Sequence, residues 1–235
     1  MGEAVTALSG SGLLAGNPAS VKMEEYLSSY AYVPGVSGLN HMGFARHWSV
    51  KSFFLETGVQ RLGNLTASID RVYCGFATQK EHTSLGVRIN LHQFKALPYP
   101  TDFNFSFSLG GITRLSQTLS FGAWIDNLSV KANLVQDGFV PVRMEAGFRF
   151  DLSKALITVV SVSHQLNEQP ILRSGLEYGL SDKVKLRFGT SSFPVGMFYG
   201  AGFRYWKVVI DLAASWRKHE GSAFQAMASY RISSR

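Results

Sequence analysis

Six histidines (His41, His47, His82, His92, His164 and His219) and one cysteine, Cys74, are the side chains best suited to chemistry in this sequence. No two histidines stand in a His-x-x-x-His spacing, and a single cysteine cannot form Cys-x-x-Cys, so no metal site is expected. The many serines include no Gly-x-Ser-x-Gly elbow. Ser161 and Ser163 flank His164 too closely: sequence neighbours in a strand point to opposite faces, so they cannot form a nucleophile–base pair. Gly10-Ser11-Gly12 followed by Gly16 has the look of a phosphate loop, but no strand pattern precedes it and no Lys-Ser/Thr follows. The reading is of a protein that is not an enzyme and uses no cofactor.

Composition points the same way. Of 235 residues, 46% are hydrophobic, 13% aromatic and 17% charged, with 23 glycines. A soluble domain usually carries about 25% charged residues. So many aromatics exclude a disordered chain. The net charge of +7 raises nucleic acid as a partner. No basic stripe with interleaved aromatics supports it, and no nucleic-acid binding is expected. No apolar run reaches the roughly 18 residues of a membrane helix. The cleanest, 155–162, is broken by Thr158 and Ser161. Cys74 alternates with Val72 and Phe76 and reads as a small outward hydrophobe.

The elements that would position these groups are strands. From about residue 25 onward apolar residues recur at every second position. Phe103, Phe105, Phe107 and Leu109 alternate with Asn104, Ser106, Ser108 and Gly110; Met144, Ala146, Phe148 and Phe150 alternate with Glu145, Gly147, Arg149 and Asp151. The parse gives about 14 strands near the 9–11 residues of a tilted membrane strand, with 12 kept open. Their spans are 25–34, 38–48, 51–62, 67–79, 82–94, 102–114, 118–128, 140–151, 154–165, 170–179, 183–193, 197–206, 207–218 and 223–233. The strand at 38–48 is ambiguous, and so is the facing of 154–165. Short turns (48–50, 115–117, 152–154, 180–182, 206–207) alternate with longer ones (62–64, 94–101, 127–139, 166–169, 218–222), as on the two rims of a bacterial barrel.

A soluble β-sandwich would also alternate, and the polar set decides between the two. It holds Gly58, Gly75, Gly86, Gly110, Gly122, Gly147, Gly175, Gly189 and Gly202, and charges of both signs. A water-facing glycine column weakens strands without gain, whereas inside a barrel it leaves room for a plug. The fold class expected is therefore all-β: a transmembrane antiparallel up-and-down barrel, residues 25–235, with an N-terminal plug, residues 1–24. Inward Arg143, Glu145, Arg149, Arg173, Glu177, Arg187 and Asp211 are expected to form lumenal ion pairs. Phe54, Tyr73, Trp124 and Phe198 are the expected inward aromatics. Trp48, Trp206 and Trp216 suit interfacial girdles, and Arg217-Lys218 suits a rim facing lipid phosphates.

The start of the chain carries a resemblance. Met1-Gly2-Glu3-Ala4-Val5-Thr6-Ala7-Leu8, then Asn17-Pro18-Ala19, then an aromatic strand with Tyr26, Tyr30 and Tyr32, resembles the opening of FadL-type barrels. It is more similar still to the PorV/PorQ group of the Bacteroidota type IX secretion system. Arg173-Ser174-Gly175-Leu176-Glu177-Tyr178 and Leu180-Ser181-Asp182-Lys183-Val184 also read like that group. The resemblance implies 14 strands, with Asn17, Pro18 and Ala19 in the lumenal plug. It also implies an accessory, partner-binding subunit of an outer-membrane secretion complex. Its expected partners are outer-membrane lipids and other outer-membrane or secreted proteins. The alternative is FadL-like transport of small hydrophobic molecules, and a general porin is disfavoured by the plug and paired charges. Export to an outer membrane would need a signal peptide, which Met1-Gly2-Glu3-Ala4-Val5 does not supply, so one is expected upstream of residue 1.

Overall fold

A computed structural model describes residues 16–20, 25–32, 40–50, 52–64, 66–129, 141–166 and 168–232. Fourteen antiparallel strands follow one another: β1 (Glu25–Tyr32), β2 (Asn40–Val50), β3 (Phe53–Gly63), β4 (Ala67–Lys80), β5 (Thr83–Ala96), β6 (Asp102–Arg114) and β7 (Leu119–Ser129). Then come β8 (Arg143–Asp151), β9 (Leu156–Gln165), β10 (Ile171–Gly179), β11 (Val184–Ser192), β12 (Val195–Tyr205), β13 (Val208–Arg217) and β14 (Gly221–Arg231). Each pairs with its sequence neighbours, and β1 also pairs with β14, so the sheet closes. Closure leaves no strand edge unpaired, which a membrane-spanning sheet requires.

The alternation sorts side chains as expected. Phe103, Phe105, Phe107 and Leu109 are exposed on the outside, while Asn104, Ser106 and Ser108 are buried inside. Cys74 is exposed on the outer face. Strand β9 turns Val159, Ser161 and Ser163 inward and Val162 outward, which settles its facing. The turn expected at 48–50 belongs instead to β2. Val50 pairs with Phe53, so the ladder continues to the end of β2. Strand β7 departs from strict alternation: its register against β6 shifts between Phe107 and Leu109, and Asn127 has φ 62°. The bulge leaves Asp126 and Ser129 both inward, an odd spacing that a regular strand forbids.

One rim carries connections of two or four residues, and the other carries connections of two to thirteen. Three of the short ones repeat a single device. In Leu115-Ser116, Leu152-Ser153 and Leu180-Ser181 the leucine N–H donates to the carbonyl four residues on. The serine Oγ then accepts from the backbone N–H two residues on, and in the first two turns also from the next. These are side-chain-closed turns of the kind serine favours.

Candidate functional site: the lumen

Inside the barrel, glycine sets where other groups fit. Gly86 and Gly110 face each other across β5 and β6. On that pair rests Asn17-Pro18-Ala19, whose Pro18–Ser20 turn is a short 3-10 helix. A Cβ on Gly86 would strike the backbone of Pro18 and Ala19, and one on Gly110 would strike the Asn17 side chain. Asn17, Pro18 and Ala19 are fully buried or nearly so. Asn17 Nδ2 donates to the carbonyls of Gly111 (3.2 Å) and Ala123 (3.4 Å). Ser84 Oγ donates to the Ala19 carbonyl (2.8 Å), and Arg88 Nη1 donates to that of Gly16 (2.9 Å). Asn17 Oδ1 accepts from the Ala19 N–H (3.0 Å), closing the turn on itself. Residues 1–15 and 21–24 of the expected plug lie outside the described residues.

Ion pairs also cross over glycine. Glu56 on β3 and Arg88 on β5 flank Gly75 of β4, and Arg88 Nη2 donates to Glu56 Oε2 at 2.8 Å. His47 Nε2 lies 3.5 Å from the other carboxylate oxygen. On the far wall Arg187 of β11 reaches Asp211 of β13 over Gly202 of β12, where a Cβ would meet both side chains. Arg187 Nε and Lys185 Nζ both hold Glu177, each at 2.7 Å. A side chain on the intervening strand would fill the gap that these second-neighbour strands bridge.

Of the seven charges expected to pair in the lumen, Glu177, Arg187 and Asp211 form this one network. Arg143 Nη2 stands 3.9 Å from Glu145 and its guanidinium covers the Trp124 ring. Arg149 bonds Asp151, two residues on and therefore on the same face (2.7 Å). Arg173 donates to Ser163. The densest network was not among the expected pairs. Arg71 donates to Asn90 Oδ1 (2.6 Å) and lies 3.2 Å from Asp126, which also accepts from Ser108. Asn90 Nδ2 in turn donates to Ser106 and Ser108. His92 Nε2 lies 3.1 Å from Ser106 Oγ, but Ser106 is fully buried, so the contact closes the network rather than presenting a nucleophile.

The four expected aromatics point inward. Tyr73 covers Gly58 on the neighbouring strand and takes the Arg88 guanidinium against its ring. Trp124 is buried, and its indole N–H finds no acceptor among the described residues. Phe198 lies under Arg217. The wall from β3 to β7 is thus packed. The inward face of β13 and β14 is open at one place: Ala213 and Gln225, directly paired, are both exposed, whereas Met227 packs toward Ala45 and Tyr73 and Ser229 is buried. Among the described residues no His/Cys/Asp/Glu cluster is arranged to hold a metal.

The chain's fold is that of outer-membrane β-barrels. The Pseudomonas putida toluene transporter TodX superposes with a TM-score of 0.68 at 10% identity, covering 96% of each chain. CymD, a monoaromatic hydrocarbon channel, gives 0.67 at 12% identity over 99% of this chain and 98% of its own. A mutant porin of Rh. blastica is more distant, at 0.52 and 7% identity over 89% of this chain and 98% of its own. No protein-family model and no curated protein matches the sequence. The likeness to FadL-type barrels therefore stands at the level of fold, and the PorV/PorQ assignment does not. The expected role as accessory subunit of a secretion complex is overturned with it: the solved barrels this chain superposes on are described as a toluene transporter and monoaromatic hydrocarbon channels. In this chain the N-terminal motif that suggested it is a turn seated on Gly86 and Gly110.

Proposed function

We propose that this chain is an outer-membrane barrel through which small hydrophobic molecules cross, with residues 1–24 as its plug. The observation that carries the reading is the division of the lumen. The β3–β7 side is packed by the Asn17-Pro18-Ala19 turn and by buried polar bonds, while across the lumen Ala213 and Gln225 leave accessible space between them at the middle of β13 and β14. Inward Phe54 is only half-buried and gives the lumen some apolar surface. The likeness in shape to TodX and CymD supports the same reading. The outer face, apolar on every strand whose side chains are described, supports an outer-membrane location in contact with lipid.

The test is uptake of radiolabelled toluene by bacterial cells that lack hydrocarbon channels and express this barrel. Uptake should exceed that of cells without it, and Ala213→Trp, which fills the open strip, should return it to background. Equal uptake with and without the barrel would refute the proposal.

A further inference from the structure

Four consecutive hairpins on the short-turn rim each set an exposed apolar side chain beside a cation. Leu115 stands next to Arg114 (β6–β7), and Leu152 two residues before Lys154 (β8–β9). Leu180 lies three before Lys183 (β10–β11), and Trp206 next to Lys207 (β12–β13). The apolar members are 57%, 63%, 62% and 79% exposed. Exposure at this level is not an accident of turn chemistry. The serine that follows each leucine already closes the turn, so the leucine's side chain is free of that task. Leu115, Leu152 and Leu180 each continue the outward parity of the preceding strand, which places them at the lower edge of the lipid-facing surface. Lys207 lies against the Trp206 ring, 5.3 Å from its centroid, so cation and anchor share one site.

The two rims differ in charge. Counting the turns and the strand ends beside them from β4 to β13, the short-turn rim carries Lys80, Arg114, Lys154, Lys183, Arg204 and Lys207 against Glu81, Asp151 and Asp182, with Asp151 already held by Arg149. None of these six cations has an ion-pair partner among the described residues. On the opposite rim cations and acids are nearly balanced and bond each other, as Arg61 does to Asp70 (2.6 Å) and Arg217 to Glu220 (3.0 Å). The sequence alone singled out Arg217-Lys218 as facing phosphates, but Arg217 is engaged by Glu220 and Phe198.

We propose that the short-turn rim from β6 to β13 is a collar that binds anionic phospholipid headgroups. An apolar side chain next to a cation matches a phospholipid at the level of its glycerol and phosphate: the leucine or tryptophan enters the acyl boundary and the cation meets the phosphate. A protein partner is the less fitting occupant, because the anchors are spread around an arc of the barrel wall in line with its lipid-facing surface.

The test uses the purified barrel in detergent with equal amounts of phosphatidylglycerol and phosphatidylcholine of identical acyl chains. Retained lipid is counted by native mass spectrometry. The barrel should retain several-fold more phosphatidylglycerol. Lys154→Gln with Lys183→Gln should abolish that preference, and Lys95→Gln with Lys218→Gln, an equal charge change on the other rim, should preserve it. Heat-modifiable gel migration verifies that each variant is folded. A salt titration of the unaltered barrel is a second measurement, independent of any variant: the preference should fall as ionic strength screens the cations. Equal retention of the two lipids, a preference that survives the Lys154/Lys183 change or added salt, or one lost only with Lys95 and Lys218, would overturn the proposal.

Discussion

Glu56 and Arg88 sit on strands that do not touch, yet their side chains meet at 2.8 Å over Gly75, each only 1% exposed. Arg88 uses its other terminal nitrogen on the Gly16 carbonyl. One guanidinium therefore ties a buried acid of the wall to the segment lodged in the lumen.

Removing one member of such a pair leaves the other charged and buried. Arg88→Met should lower stability by about 3–5 kcal/mol, and Glu56→Gln with Arg88→Met together should cost less than Arg88→Met alone. Urea unfolding in lipid vesicles, followed by tryptophan fluorescence, measures both.

The seat of Asn17-Pro18-Ala19 depends on the absence of a side chain beneath it. Gly86→Ala places a methyl against the Pro18 and Ala19 backbone, which cannot yield as a flexible side chain would. In a Cys74→Ser background, a cysteine introduced as Ala19→Cys should resist maleimide, since Ala19 is fully buried. Adding Gly86→Ala should make it react. Gly200→Ala, where the new atom would stand 3.4 Å from Arg187 Cβ, should leave it protected.

Outward positions face lipid, so charge there is expensive. Phe105→Arg should destabilise the assembled barrel by about 2–4 kcal/mol if it lies near the midplane. Refolding into vesicles should show the loss, and Phe105→Leu should show little.

Arg187 balances Glu177 and Asp211 together with Lys185. Arg187→Gln leaves two carboxylates facing one ammonium. Residual conductance in planar bilayers should then shift toward cations, read as a reversal potential under a salt gradient, while Arg187→Lys should shift it less.

Much of this architecture was legible because alternation is a local property. Phe103 to Gly110 announce both faces of β6 without reference to any other strand, and the glycine column announced an interior that needs space. Arg149 and Asp151 belong to the same class of signal, since residues two apart share a face. Partner choice across strands was not legible. Whether Arg187 meets Asp211 or Glu145 depends on the stagger of each strand against the next, which no single segment encodes. The Ser129–Asn104 contact is further hidden by the β7 bulge: Asn127 adopts a left-handed conformation there, and the inward positions change from even to odd. The secretion reading failed for a related reason. Asn17-Pro18-Ala19 records how a segment turns on Gly86 and Gly110, a matter of local shape that carries no information about a partner.

The pairing of β1 with β14 has a consequence for how the molecule is made. Glu25 to Tyr32 align with Arg231 to Phe224, so the first strand to be synthesised waits for the last before its second edge is satisfied. Until then the growing sheet offers two unpaired borders and an apolar outer surface, both open to self-association. The barrel is thus completed only when β14 docks on β1.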